Sequence, residues 1–147
     1  MADPKTFLTE VEQGEVVAAI QAAEKQTSGE IRVHLDRSAK GNINRKAVAI
    51  FRWHKMHKTA ARNGVLVYIA VEDQQFAIIG DQGINQVVSE GFWDSTRDEM
   101  ARAFKQGHFA AGLVAGIREA GAQLCTHFPY QSDDVNELPD DISFGDA

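Results

Sequence analysis

The stretch from Glu30 to Val71 constrains the fold more than any other part of the chain. Glu30-Ile31-Arg32-Val33-His34-Leu35 alternates polar and apolar residues with the period of two that marks a β-strand. Asp36 to Asn44 is then rich in Gly, Ser, Asn and charge, which reads as a loop ending in an Asn cap before Arg45. Ala47, Val48, Ile50, Phe51 and His54 follow helical spacing and predict a helix over about 45–56. Asn63-Gly64 is a turn signal, and Gly64 to Val71 is almost continuously apolar, as expected of a strand covered on both faces. Strand, helix and strand in that order imply a parallel pair joined by a right-handed crossover.

The flanking segments extend this unit. Glu72-Asp73-Gln74 is too short a link for anything but a hairpin, so Gln75-Phe76-Ala77-Ile78-Ile79-Gly80 predicts a third strand antiparallel to the second. Upstream, Thr9-Glu10-Val11-Glu12 is a capping box, and an apolar stripe through Val11, Val16, Ile20 and Ala23 predicts a helix over 10–25. Downstream, Ile84 to Val88 reads as a short helical turn, 92–106 as a helix, and Phe109 to Thr126 as a last helix stopped by Phe128-Pro129. The fold class is therefore α/β, a central mixed sheet of three to four strands flanked by helices on both faces.

Charge divides the chain of 147 residues unevenly. Residues 131–147 hold Asp133, Asp134, Glu137, Asp140, Asp141 and Asp146 with no Lys or Arg, so the formal net charge of -6 belongs to an acidic tail. The organisation expected is a domain over 1–130 and a tail over 131–147, in which Val135, Leu138, Ile142 and Phe144 offer a means of docking on the body or on a partner. The near-neutral body has no excess of cations to release counterions from a polyanion, which argues against nucleic-acid binding. Cys125 is the sole cysteine, so no intramolecular disulfide forms and a reducing compartment is the simplest expectation. No apolar run approaches a membrane span and the N-terminus has no signal-like pattern, so the chain is expected to be a cytoplasmic monomer, with another protein as its partner.

The topology gathers two sets of oxygen ligands. Glu30 opens the first strand, Asn63 precedes the second, Asp81 closes the third, and Asp94 near the next long helix can reach the same end. Such side chains suit a hard cation, Ca²⁺ or Mg²⁺, which requires several oxygens to replace its water. At the opposite end Asp36, Glu72 and Asp73 form a rival set, favoured because open α/β sheets bind ligands beyond the carboxyl ends of their parallel strands. Each acid serves equally as a cap, a turn former or a solvated charge. His54-x-x-His57 can place two imidazoles on one metal, but Lys55 and Lys58 alongside would repel a cation, and the pair reads as surface histidines at a helix end. Cys125, inside the apolar last helix, reads as core filler.

The series Ser28-Gly29-Glu30-Ile31-Arg32-Val33, Thr59 with Arg62-Asn63-Gly64-Val65-Leu66, Gly80-Asp81-Gln82-Gly83-Ile84, Phe92-Trp93, and Gly107 with Gly112-Leu113 resembles the TPM-domain family over about residues 8–130. Asn136-Glu137-Leu138-Pro139 is similar to the tail of its small soluble bacterial members. The resemblance implies an α/β sandwich that binds divalent cations, with a weak acid phosphatase activity attributed to the plant branch. Glu30, Asn63 and Asp81 match motif positions of that family. The resulting expectation is a Ca²⁺- or Mg²⁺-binding interaction or regulatory module, with a metal-assisted phosphatase and a ligand-free scaffold as alternatives. Phosphatase activity rests on the resemblance alone, and the residues themselves assign no catalytic group.

Overall fold

In the computed structural model, residues 3–59, 61–89, 91–130 and 142–145 are described. The chain opens with a 3-10 turn at Pro4–Thr6 and helix α1 (Glu10–Glu24), then strand β1 (Glu30–Asp36) and helix α2 (Ile43–Trp53). A 3-10 turn at Met56–Lys58 leads into β2 (Gly64–Ala70) and β3 (Gln75–Gly80). Three helices follow, α3 (Gln82–Asn85), α4 (Asp94–Lys105) and α5 (Phe109–His127), and the two-residue strand β4 (Ser143–Phe144) completes the sheet. The expected capping box closes the start of α1, where Thr9 accepts from the Glu12 amide at 3.1 Å and the Glu12 carboxylate accepts from the Thr9 amide at 2.9 Å.

The strand order is β3-β2-β1-β4, with β1 parallel to both β2 and β4, and β3 antiparallel to β2. The sequence predicted three to four strands, and the fourth comes from the C-terminal segment. Ile142 is buried against the main core and Phe144 packs on it, while His34 pairs with Ser143 and Leu35 with Phe144. Val135 and Leu138 lie outside the described residues. Both boundaries of α2 differ from the sequence reading for local reasons. Asn42 rather than Asn44 caps α2, its side chain accepting from the Arg45 amide at 2.9 Å. The helix stops at Trp53 because Lys55 adopts a left-handed conformation with φ of 58°.

Helices cover the sheet on both faces. On one face α1 and α5 pack with Ile31, Val33, Leu35, Val65, Val67 and Ile69 in the main core, and α4 docks on α5. Close approach there depends on small residues in α5: a Cβ at Gly121 would lie 2.8 Å from the Ala23 Cβ of α1, and one at Gly116 would lie 2.6 Å from the Met100 Cγ of α4. The opposite face carries a smaller cluster of Ala47, Phe51, Met56, Leu66, Tyr68 and Ala77 beneath α2. Helix α2 packs chiefly on β3 and β2. Among the described residues no helix is long and apolar enough to cross a membrane.

Candidate functional site

All seven residues of β1 are buried, including Arg32, His34 and Asp36 on the α2 side. Most of these polar groups find partners in one another and on the neighbouring strands. Tyr68 of β2, His34 of β1 and Ser143 of β4 stand side by side across the sheet. The His34 ring stacks on Tyr68 at 5.9 Å, its Nδ1 is 2.7 Å from the Ser143 hydroxyl, and the His54 Nε2 of the helix end above is 3.3 Å away. Arg32 also reaches the Ser143 hydroxyl, at 3.3 Å.

Asp36 ends the row. It accepts from the Tyr68 hydroxyl at 2.6 Å and lies 3.6 Å from His34 Nε2. Burial drives the Asp36 carboxyl up, but the His34 and Tyr68 contacts and the charges of His34 and Lys46 outweigh it, leaving the group below its ordinary value. Asp36 is therefore ionised at neutral pH. Burial, then the bond to Asp36 and the charges of Asp36 and Asp73, push the Tyr68 phenol far above its ordinary value. Gly145 crosses directly beside this carboxylate, its amide donating to the Leu35 carbonyl at 2.8 Å.

Above His34 and Asp36 the sheet opens into a cleft of about 610 Å³. One wall is the α2 face of Lys46, Ala49, Ile50 and Trp53, the other is Phe144 and Gly145, and the loop residues Arg37, Ser38 and Lys40 close one end. The hairpin fixes that loop. Val71 and Glu72 amides donate to the Asp36 and Arg37 carbonyls at 2.9 and 2.7 Å, and Asp73 accepts from the Ser38 hydroxyl and the Ala39 amide. Glu72 lies 3.7 Å from Arg37. Of the rival set, then, Asp36 lines the cleft, while Glu72 and Asp73 hold the loop at its rim.

The first set shares the other end of the sheet, since Glu30 pairs with Gly64 and Val65 with Gly80. Glu30 and Asn63 are buried there, the Glu30 amide donating to the Asn63 carbonyl at 3.3 Å. Asp81 is engaged by Arg62 through two bonds of 2.9 and 3.0 Å and caps α3 through the Gln82 amide at 2.7 Å. Asp94 is exposed and pairs with Arg97 at 2.5 Å. Among the described residues no three His, Cys, Asp or Glu side chains converge as a cage for a metal ion. The histidine pair also divides: His54 faces His34, while His57 joins Arg62 and Asp81 around a different cleft. Neither His34, Tyr68 and Ser143 nor the cleft residues Lys46 and Trp53 stood out from the sequence. The available signal was the ionisable half of the β1 alternation, set beside an apolar β2.

The TPM domain matches residues 1–123. The chain belongs to the TPM-domain family. The BA42 protein of the psychrophilic bacterium Bizionia argentinensis is 50% identical, with a TM-score of 0.92 over 99% of this chain and 100% of that one. The N-terminal domain of the cg2496 protein of Corynebacterium glutamicum shares the fold at 13% identity and a TM-score of 0.62, covering 92% of this chain and 79% of that one. An N-terminal domain from P. gingivalis does so at 15% and 0.69, covering 85% and 82%. A comparison with curated proteins gave no match. The α/β fold of this TPM domain is thus shared well beyond recognisable sequence similarity.

Proposed function

We propose that this TPM domain is a binding module that holds a divalent cation, Ca²⁺ or Mg²⁺, at the Asp36 end of its sheet and uses it to recruit a ligand or partner. The observation that carries this reading is Asp36, a carboxylate kept ionised at the carboxyl ends of parallel strands yet lining an open cleft. With no cage of three ligands among the described residues, such an ion would retain water or take oxygens from what it recruits. Mg²⁺ commonly binds in that way, through one or two carboxylates plus ligand oxygens. The set of Glu30, Asn63, Asp81 and Asp94 is the weaker candidate, because Arg62 and Arg97 already neutralise its two aspartates.

Binding is favoured over phosphate-ester hydrolysis because no metal cage forms among the described residues and the Tyr68 phenol, bonded to Asp36, is held far above the range in which it would ionise. The test is a Ca²⁺ and Mg²⁺ titration followed by backbone NMR. Shifts centred on residues 34–40, 68–74 and 143–145, lost in Asp36→Asn, are expected. Shifts centred on Glu30, Asn63 and Asp81, or no shift at millimolar ion, would overturn the assignment.

A further inference from the structure

The cleft has features that a bare cation does not require. Trp53 stands at its mouth 70% exposed, although an indole normally buries most of its large apolar face. Among the described residues, Lys40, Lys46 and Arg37 surround the same space and Asp36 is the one carboxylate lining it. Within the cleft wall, His34 Nε2 and Arg37 Nε are buried with no hydrogen-bond partner among the described residues, each only ion-paired with a carboxylate, at 3.6 and 3.7 Å. Buried polar nitrogens in that state are uncommon in native proteins and call for a partner.

We propose that the cleft binds a nucleoside phosphate. The base stacks on the exposed face of Trp53 against the apolar wall of Ile50 and Phe144, and the phosphates meet Lys46, Lys40 and Arg37 at the loop end. The spacing suits this division: Lys46 and Trp53 are two turns apart on one face of α2, about 10 Å along its axis. A cleft of about 610 Å³ lies within the usual range for small-molecule sites. Asp36 would repel the phosphates, and a divalent cation held there as proposed above would offset that repulsion. Cation and nucleotide should therefore each strengthen binding of the other. This coupling rests on the cation reading above; the stacking and the basic end do not.

The test uses the full chain, ATP, adenosine and inorganic tripolyphosphate, each with and without Mg²⁺, read by tryptophan fluorescence and by the Trp53 indole resonance. ATP should perturb Trp53, and Mg²⁺ should tighten ATP by about tenfold. Trp53→Ala should weaken ATP about tenfold while leaving tripolyphosphate unchanged, because only the stacking partner is lost. Lys46→Ala should weaken both. Both side chains are solvent-accessible, and an unchanged amide spectrum outside the cleft confirms that the variants fold. Tripolyphosphate binding as tightly as ATP, or ATP leaving Trp53 unmoved at millimolar concentration, would overturn the proposal. So would displacement of ATP by a phosphotyrosine peptide or by phosphatidylserine vesicles that bind more tightly. Mg²⁺ shifts at Asp36 without ATP binding would sink the nucleotide while sparing the cation reading. ATP binding indifferent to Mg²⁺ would support the nucleotide site and sink the cation reading.

Discussion

Gly145 gives the sharpest test of how the C-terminal segment is held. A Cβ built there would fall within bonding distance of Asp36 Oδ1 and 2.6 Å from Asp36 Cγ, so Gly145→Ala cannot be accommodated in place. Either Asp36 rotates and gives up its bond to Tyr68, or the segment lifts off β1. The balance of forces decides between them. The Ser143 contact with His34 and the Gly145 amide bond to Leu35 contribute about 1 kcal/mol each. Burial of Ile142 adds about 2 kcal/mol. Ordering four residues costs a similar amount or more, at roughly 1–2 kcal/mol apiece. The margin is small, so the segment should lift first. Gly145→Ala is expected to lower global stability by less than about 2 kcal/mol in urea unfolding, since local opening spares the remaining core. Amide exchange at position 145 should nevertheless accelerate at least tenfold. Native-like exchange there would refute the close approach, and a global loss above about 3 kcal/mol would show that the segment is integral to the core.

Tyr68→Phe removes the donor to a buried carboxylate and should destabilise the domain by about 1.5–3 kcal/mol in urea unfolding. Asp36 titrates below its unfolded value, so its contribution is complete above about pH 4 and is lost as pH falls through the lower folded value. Acid unfolding of Asp36→Asn should accordingly show a flatter limb below pH 4; a limb as steep as that of the parent would contradict the assignment. Two glycines should respond oppositely to alanine. Gly14, exposed within α1 and with nothing within 4 Å of its would-be Cβ, should gain about 0.5–1 kcal/mol. Gly116, pressed on Met100, should lose about 1–3 kcal/mol by overpacking, both measured by thermal unfolding.

The scaffold was legible because its signals are local. The capping box at Thr9, the apolar run from Gly64 and the hairpin at Glu72 each depend on neighbours in sequence, and each is present, the hairpin loop starting one residue earlier than expected because β2 ends at Ala70. The end of α2 was not, because Lys55 takes a left-handed backbone that its side chain does not advertise. The cleft was harder still. Alternation in Glu30 to Leu35 usually means one wet face, but β1 lies between two strands and its polar half is buried. The contact of His34 with Ser143 spans 109 positions, and no periodicity reports that kind of pairing. Placing Asp36 at the carboxyl end followed from topology; recognising Lys46 and Trp53 as its surroundings required knowing which way α2 faces.

The polar row on β1 bears on whether this face serves stability or binding. Taking Arg32, His34 and Asp36 out of water is costly, and rows of this kind are often no more stabilising than apolar side chains of the same shape. A sheet shaped by stability alone would continue on β1 the apolar surface that β2 presents through Leu66, Tyr68 and Ala70. His34 and Asp36 of this row line the cleft, which is where ionisable groups can meet a ligand. Replacing the row as a unit, by Arg32→Met, His34→Leu, Asp36→Leu and Tyr68→Phe together, separates the two roles. The quadruple variant should fold with stability within about 3 kcal/mol of the parent in urea unfolding, because Ser143 and His54, which lose a bond to it, are not fully buried. It should lose the cation response of residues 34–40. A variant that unfolds outright would show the network to be structural, and one that keeps the cation response would place the ion elsewhere.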